Sequence, residues 1–138
     1  WGGKYFYESK VYVRNAPEGA KIVTGIVNLH SKRDYRLDSA QCKILYTYDK
    51  QSENKDQLGM GIIVRKEQFD AFAITPNEGT DIRNTYTVSS TINSNKPFKF
   101  RFYAGWEKSD PQFKSEKGFR QLLIKEAVLI NTPLAIKY

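Results

Sequence analysis

The chain of 138 residues contains one cysteine and one histidine. A single cysteine closes no intrachain disulfide, and with one histidine it excludes a zinc site of the usual Cys/His kind. No apolar run approaches the length of a membrane span, and no signal peptide opens the chain. Missing too are a G-x-S-x-G elbow and a Gly-rich phosphate loop: LGMGI has no following Lys and continues as strand-like sequence. The loop DKQSENKD resembles a calcium loop only superficially, lacking the glycine and the terminal glutamate at loop spacing. No metal or cofactor is therefore expected. His30, beside Ser31 at the end of an apolar run, has no nucleophile setting around it and is expected to be an exposed loop residue.

What is present is basic and aromatic. Lys and Arg outnumber Asp and Glu by 22 to 15, for a net charge of +7, and the excess is spread along the chain. Such a diffuse field favours anionic partners (nucleic acid, acidic polysaccharide, anionic surfaces) without choosing among them. Aromatic residues make up 14% of the chain, with nine tyrosines. Most are expected in the core. Tyr5, Tyr7, Tyr46, Tyr48, Tyr103 and Trp106 nevertheless have polar neighbours, and such rings on a β face can stack on sugars or bases. The RNA-recognition strand signature is absent.

Period-two alternation dominates. In KYFYESKVYVR, Tyr5, Tyr7, Ser9, Val11 and Val13 share one face, and NAPEG then makes a turn. AKIVTGIVNLHS is a near-continuous apolar run and is expected to be buried on both faces. CKILYTYDK follows, with Cys42 expected as a buried, inert thiol. QSENKDQ is a polar hairpin loop, and LGMGIIVRK carries paired glycines that suggest a bulge or a close backbone approach. Strands at AFAIT and TYTVSSTI come next. In FKFRFYAGW, Phe98, Phe100 and Phe102 face opposite to Lys99, Arg101 and Tyr103. Gly105 is expected to free the backbone for a turn, with the Trp106 ring covering the mouth of the sheet.

One segment has helical period. SEKGFRQLLIKEAVLI places Phe119, Leu122, Leu123, Ala127 and Ile130 in a single stripe, with Ser115 as N-cap and Asn131 and Pro133 as stop. LAIKY alternates again as a terminal strand. The expected fold is mostly β: an antiparallel sandwich of about seven or eight strands carrying one amphipathic helix near the C-terminus. The length fits one domain, residues 1–138.

The stretch from Phe100 onward, FRFYAGWEKSDPQFKSEKGFRQLLIKEAVLINTPLAIKY, resembles the end of a bacterial family of domains of unknown function, number 4861. The likeness rests on Gly105, Trp106, Lys108, Ser109, Phe113, the helix from Ser115, and Pro133-Leu134-Ala135-Ile136; before Phe100 it holds only in pattern. The resemblance implies a secreted or periplasmic protein of polysaccharide-degrading bacteria. It also implies a β-sandwich that is part of a galactose-mutarotase-like supersandwich, with this chain the C-terminal part of a longer protein. The start WGGKYFYESK, without Met, suits a processed or excised fragment. The resemblance assigns no catalytic residue.

Three functions remain open from the sequence. One is a carbohydrate-associated domain that belongs to, or assists, a polysaccharide-degrading protein and binds an acidic poly- or oligosaccharide through Tyr and Trp. The others are a nucleic-acid-binding β module and a structural domain supporting a missing N-terminal half. The candidate ligand-binding residues are Arg101, Tyr103, Trp106, Glu107 and Lys108. No hydrolase or lyase activity is expected of the chain by itself, because no paired carboxylates stand out as an acid and base across a cleft.

Overall fold

The computed structural model describes residues 3–132. Its strands are β1 (Phe6–Val11), β2 (Lys21–Val27), β3 (Tyr35–Ser39), β4 (Cys42–Asp49), β5 (Leu58–Arg65), β6 (Ala71–Ile74), β7 (Thr85–Thr91) and β8 (Phe98–Trp106). One helix, α1 (Glu116–Ile130), follows a short 3-10 turn at Pro111–Lys114. The expected mostly β fold with a C-terminal helix is what the chain adopts. The expected strand LAIKY lies outside the described residues, as does Pro133.

The strands form two antiparallel sheets, a five-stranded one in the order β1-β8-β5-β4-β3 and a three-stranded one in the order β2-β7-β6. The larger sheet is the middle of three layers. On one face Cys42, Ile44, Tyr46, Ile63 and Tyr103 pack against Phe113 and against Phe119, Leu123 and Ala127 of α1. On the other, Leu45, Ile62, Val64 and Phe98 meet Ile26, Tyr86 and Val88 of the smaller sheet. Being covered on both sides, β4 and β5 are apolar at successive positions rather than alternate ones, as CKILY and GIIV are. Each large side chain so buried contributes about 1.5–3 kcal/mol.

Two expectations about β2 and β3 change. β2 is not buried on both faces: it is an edge strand that turns Ile22 and Ile26 inward and leaves Val23 and Val27 exposed. No layer covers the outer face of the smaller sheet among the described residues, so half of that apolar run meets solvent. The other change is an added strand, β3, whose sequence YRLDS pairs with β4 and stacks Tyr35 on Tyr46 at 4.7 Å. Its apolar positions are few because it too is an edge.

The glycines of LGMGI and YAGW explain how the helix sits so close. β5 and β8 run in unbroken register, Gly59 opposite Gly105 and Gly61 opposite Tyr103, with no bulge. All three glycines lie under the helical layer. A Cβ on Gly59 would stand 2.4 Å from the Phe119 ring, one on Gly61 2.9 Å from Leu123, and one on Gly105 2.8 Å from Phe113. Gly105 is therefore a strand residue that clears space; it is absent from the positive-φ positions and forms no turn. α1 itself starts where expected, with the Ser115 hydroxyl accepting from the Gly118 N–H at 3.2 Å.

Candidate functional site

Alternation along β8 decides which of its side chains can meet a ligand. Gly105 and Tyr103 point at the helical layer, so Phe102, Ala104 and Trp106 share the opposite face. The smaller sheet covers that face at its far end, where Phe98 is buried, but not here: Ala104 is exposed and Trp106 is 39% exposed. On the neighbouring β1, Tyr7 pairs with Phe102 and stacks on it, centroids 5.4 Å apart and planes at 22°. Tyr7 is 58% exposed. A strip of rings therefore crosses this corner of the sheet. Its two ends, Phe102 and Trp106, stand roughly 13 Å apart along the strand.

The far end of the strip is fixed by charge. Trp106 Nε1 donates to Asp56 Oδ2 at 3.2 Å, and Lys108 Nζ reaches the same oxygen at 3.0 Å while lying 5.5 Å from the centre of the indole. Asp56 belongs to the β4–β5 hairpin loop, which the sequence marks only as polar. Glu107 holds the same loop: its Oε1 accepts from the Gln57 N–H at 2.8 Å, and its own N–H donates to the Gln57 carbonyl. The aromatic platform thus comes from β8, and its polar edge from a loop fifty residues earlier in the chain.

Of the five candidate residues, the structure brings Trp106, Glu107 and Lys108 together. It puts Arg101 and Tyr103 on the other face of the sheet. Tyr103 is fully buried under α1, because alternation turns it inward, and it takes no part in the exposed strip. Arg101 also points to the helical side, where its Nε reaches Glu8 Oε2 at 3.1 Å, its Nη1 lies 3.9 Å from Glu126 Oε2, and its guanidinium covers Phe6. It cannot serve the same ligand as Trp106. Tyr7 and Asp56, absent from the candidates, belong to the strip. Tyr7 was visible as an aromatic with polar neighbours; Asp56 had no signal.

The tyrosine excess has its own explanation. Tyr5 donates to Asp110 Oδ2, Tyr46 to Glu116 Oε1 and Tyr48 to the Phe113 carbonyl, at 3.1, 2.5 and 2.8 Å. Each ring packs against the core while its hydroxyl ties the sheet to the helical layer. Burial, helped by the Glu116 carboxylate, pushes the Tyr46 phenol well up; burial foremost also pushes Tyr103 well up and raises Tyr48. Cys42 is fully buried with its thiol pushed up by burial, as an inert core cysteine should be.

Under α1 lies a second polar group. Glu126 is on the buried side of the helix, its side chain 5% exposed, and takes Lys4 Nζ on Oε1 at 2.9 Å. The helical period of the sequence marks only the apolar stripe and gives no sign of a buried glutamate beside it; Arg101 and Lys4 are what allow it there. Among the described residues no three of His, Cys, Asp and Glu are grouped to hold a metal ion. His30 is exposed on its loop. No helix among them is long and apolar enough to cross a membrane.

The model of a family described as a domain of unknown function, DUF4861, matches residues 1–136. The likeness that is clear from Phe100 onward therefore extends through β1–β7 as well. No curated protein and no solved structure matches the chain.

Proposed function

The chain belongs to the DUF4861 family, and from that premise we propose that it is a carbohydrate-associated domain that holds a glycan chain along the Tyr7–Phe102–Trp106 strip. The observation that carries this is the strip itself. The exposed rings of Tyr7 and Trp106, with half-buried Phe102 stacked on Tyr7 and Ala104 leaving a low saddle before Trp106, offer apolar faces to the C–H faces of successive sugars. The Asp56 carboxylate and the Lys108 ammonium at its end offer acceptors and donors to hydroxyl groups.

The role is binding, in or beside a protein that degrades polysaccharides outside the cytoplasm, with the longer sandwich assembly completed by further chain. The net charge of +7 favours an acidic glycan by long-range attraction. The two candidate cations are already paired: Lys108 with Asp56, and Arg101 with Glu8 and Glu126 on the other side. Contact energy then comes from stacking, and the acidic preference from the diffuse field, which salt screens over about 8 Å.

The test is retention of the chain in gels or columns bearing polygalacturonate, alginate, xylan or cellulose, with a single-stranded oligonucleotide as counter-probe. Retention by a polysaccharide, lost at least tenfold in both Tyr7→Ala and Trp106→Ala, is the expected result. Tight oligonucleotide binding without glycan retention transfers the strip to the nucleic-acid reading. Glycan retention untouched by both variants removes the strip.

A further inference from the structure

Among the described residues each sheet ends in two edge strands, whose outward N–H and C=O groups invite further pairing. Three of these edges are blunted. β1 carries Glu8 and Lys10, and β3 carries Arg36 and Asp38. β6 is four residues long, with Asp70 before it and Pro76 soon after. β2 has none of these devices. Its seven residues, KIVTGIV, run in unbroken register beside β7, and their one charge, Lys21, is tied to Asp70 at 2.6 Å.

The β2–β7 ladder shows which groups are on offer. The Asn28 N–H donates to the Asn84 carbonyl and the Ile92 N–H to the Ala20 carbonyl, so alternation turns the even-numbered residues of β2 toward β7. Lys21, Val23, Gly25 and Val27 turn their N–H and C=O groups the other way, and nothing among the described residues bonds to them. The strand is also complementary to itself. Turned about a two-fold axis at Thr24, it sets Lys21 against Val27, Ile22 against Ile26 and Val23 against Gly25 of a second copy. This register alone pairs all seven residues, and every outward N–H then meets an outward C=O. On the outer face the Val23 side chain, 45% exposed, lies beside the bare Gly25 of the other copy, and Ile22 meets Ile26 on the inner one. The two Lys21 residues, the only charges of the paired strands, end about 20 Å apart. At physiological salt their repulsion is screened over that distance.

We propose that β2 is a self-association edge, through which two copies of this chain join their smaller sheets into one, in the order β6-β7-β2-β2-β7-β6. The contact lies on the smaller sheet, away from the aromatic strip on the larger one, and does not rest on the strip's function. A standard interface takes roughly 20–30 residues a side. Seven residues a side put this one at the weak end, with a dissociation constant on the order of 10–100 μM.

Sedimentation velocity on the 138-residue chain, from about 1 μM to 1 mM, should show a reversible monomer–dimer equilibrium. Val23→Pro removes an outward N–H at a place where an edge strand tolerates proline. It should weaken association by about tenfold or more, with the melting temperature of the dilute monomer nearly unchanged. Thr24→Cys gives a second readout, independent of whether the proline variant folds. The two-fold sets the two Thr24 Cα atoms roughly 4.5 Å apart in a non-hydrogen-bonded pair, within disulfide range. Mild oxidation should therefore yield a covalent dimer, with the fully buried Cys42 taking no part. Val27→Cys, about 20 Å from its own counterpart, should not cross-link. A chain that stays monomeric throughout overturns the proposal and leaves the edge to a strand of a different protein. So do dimers that persist in Val23→Pro, or cross-linking as fast in Val27→Cys as in Thr24→Cys.

Discussion

The Phe119 ring rests on the bare backbone of Gly59, where a side chain as small as a methyl would stand 2.4 Å from it. Gly59→Ala is accordingly expected to lift α1 from the sheet and to cost about 2–3 kcal/mol, the scale of overpacking in a filled core. In urea denaturation the midpoint should fall with the slope unchanged. An unaltered midpoint would show that the ring moves aside freely.

Trp106, by contrast, is a surface ring. Removing it in Trp106→Ala should cost about 1–2 kcal/mol, well short of the 3–5 kcal/mol typical of a buried aromatic such as Phe113→Ala. Thermal melts of the two variants side by side provide the comparison. If Trp106→Ala proves the more damaging, the indole is a structural plug and glycan retention loses its best residue.

Glu126 should matter more than a surface glutamate. In Glu126→Ala the Arg101 guanidinium, itself only 14% exposed, and Lys4 lose a carboxylate. Breaking a fully buried pair costs 3–5 kcal/mol; with Lys4 partly in solvent, on the order of 2–3 kcal/mol is expected. A double-mutant cycle of Glu126→Ala with Arg101→Ala measures the coupling, and additive losses would show that the two charges act separately.

Alkali should unfold the protein through its buried tyrosines. Burial raises the Tyr46, Tyr48 and Tyr103 phenols above their ordinary value in the folded state. The unfolded chain releases those protons near pH 10 while the folded one keeps them. The stability they confer is thus whole below about pH 10 and is lost as pH rises toward their folded values. Phenolate absorbance followed together with circular dichroism should show these tyrosines ionising only as the fold is lost. Ionisation of the full tyrosine set while the fold persists would contradict their burial.

Glu107 invites a catalytic role by its place beside Trp106, yet its Oε1 holds the Gln57 N–H. Glu107→Gln keeps an acceptor oxygen and should leave both stability and glycan retention near wild type. Release of reducing ends from polygalacturonate by the wild-type chain, abolished by Glu107→Gln with folding intact, would instead make Glu107 a catalytic acid.

The sequence alone determined much of this protein, because its signals are periodic and local. Alternation in KYFYESK and FKFRFY, the loop QSENKDQ, and the Ser115 cap before a stripe of period 3.6 place these four features without any knowledge of their neighbours. Alternation also separated Phe98, Phe100 and Phe102 from Arg101 and Tyr103 correctly. It could not say which face would be covered, since both faces of the large sheet carry apolar residues. Only the tertiary structure decided that α1 seals the Tyr103 side, that the smaller sheet stops short of Trp106, and that Gly59, Gly61 and Gly105 exist to admit the helix. The same holds for the partners of the candidate site. Asp56 meets Trp106 across fifty positions of sequence, and Tyr7 meets Phe102 across a strand pair joined by most of the chain. Contacts between distant segments are set by how layers stack, and layer stacking leaves no period in a sequence to be read.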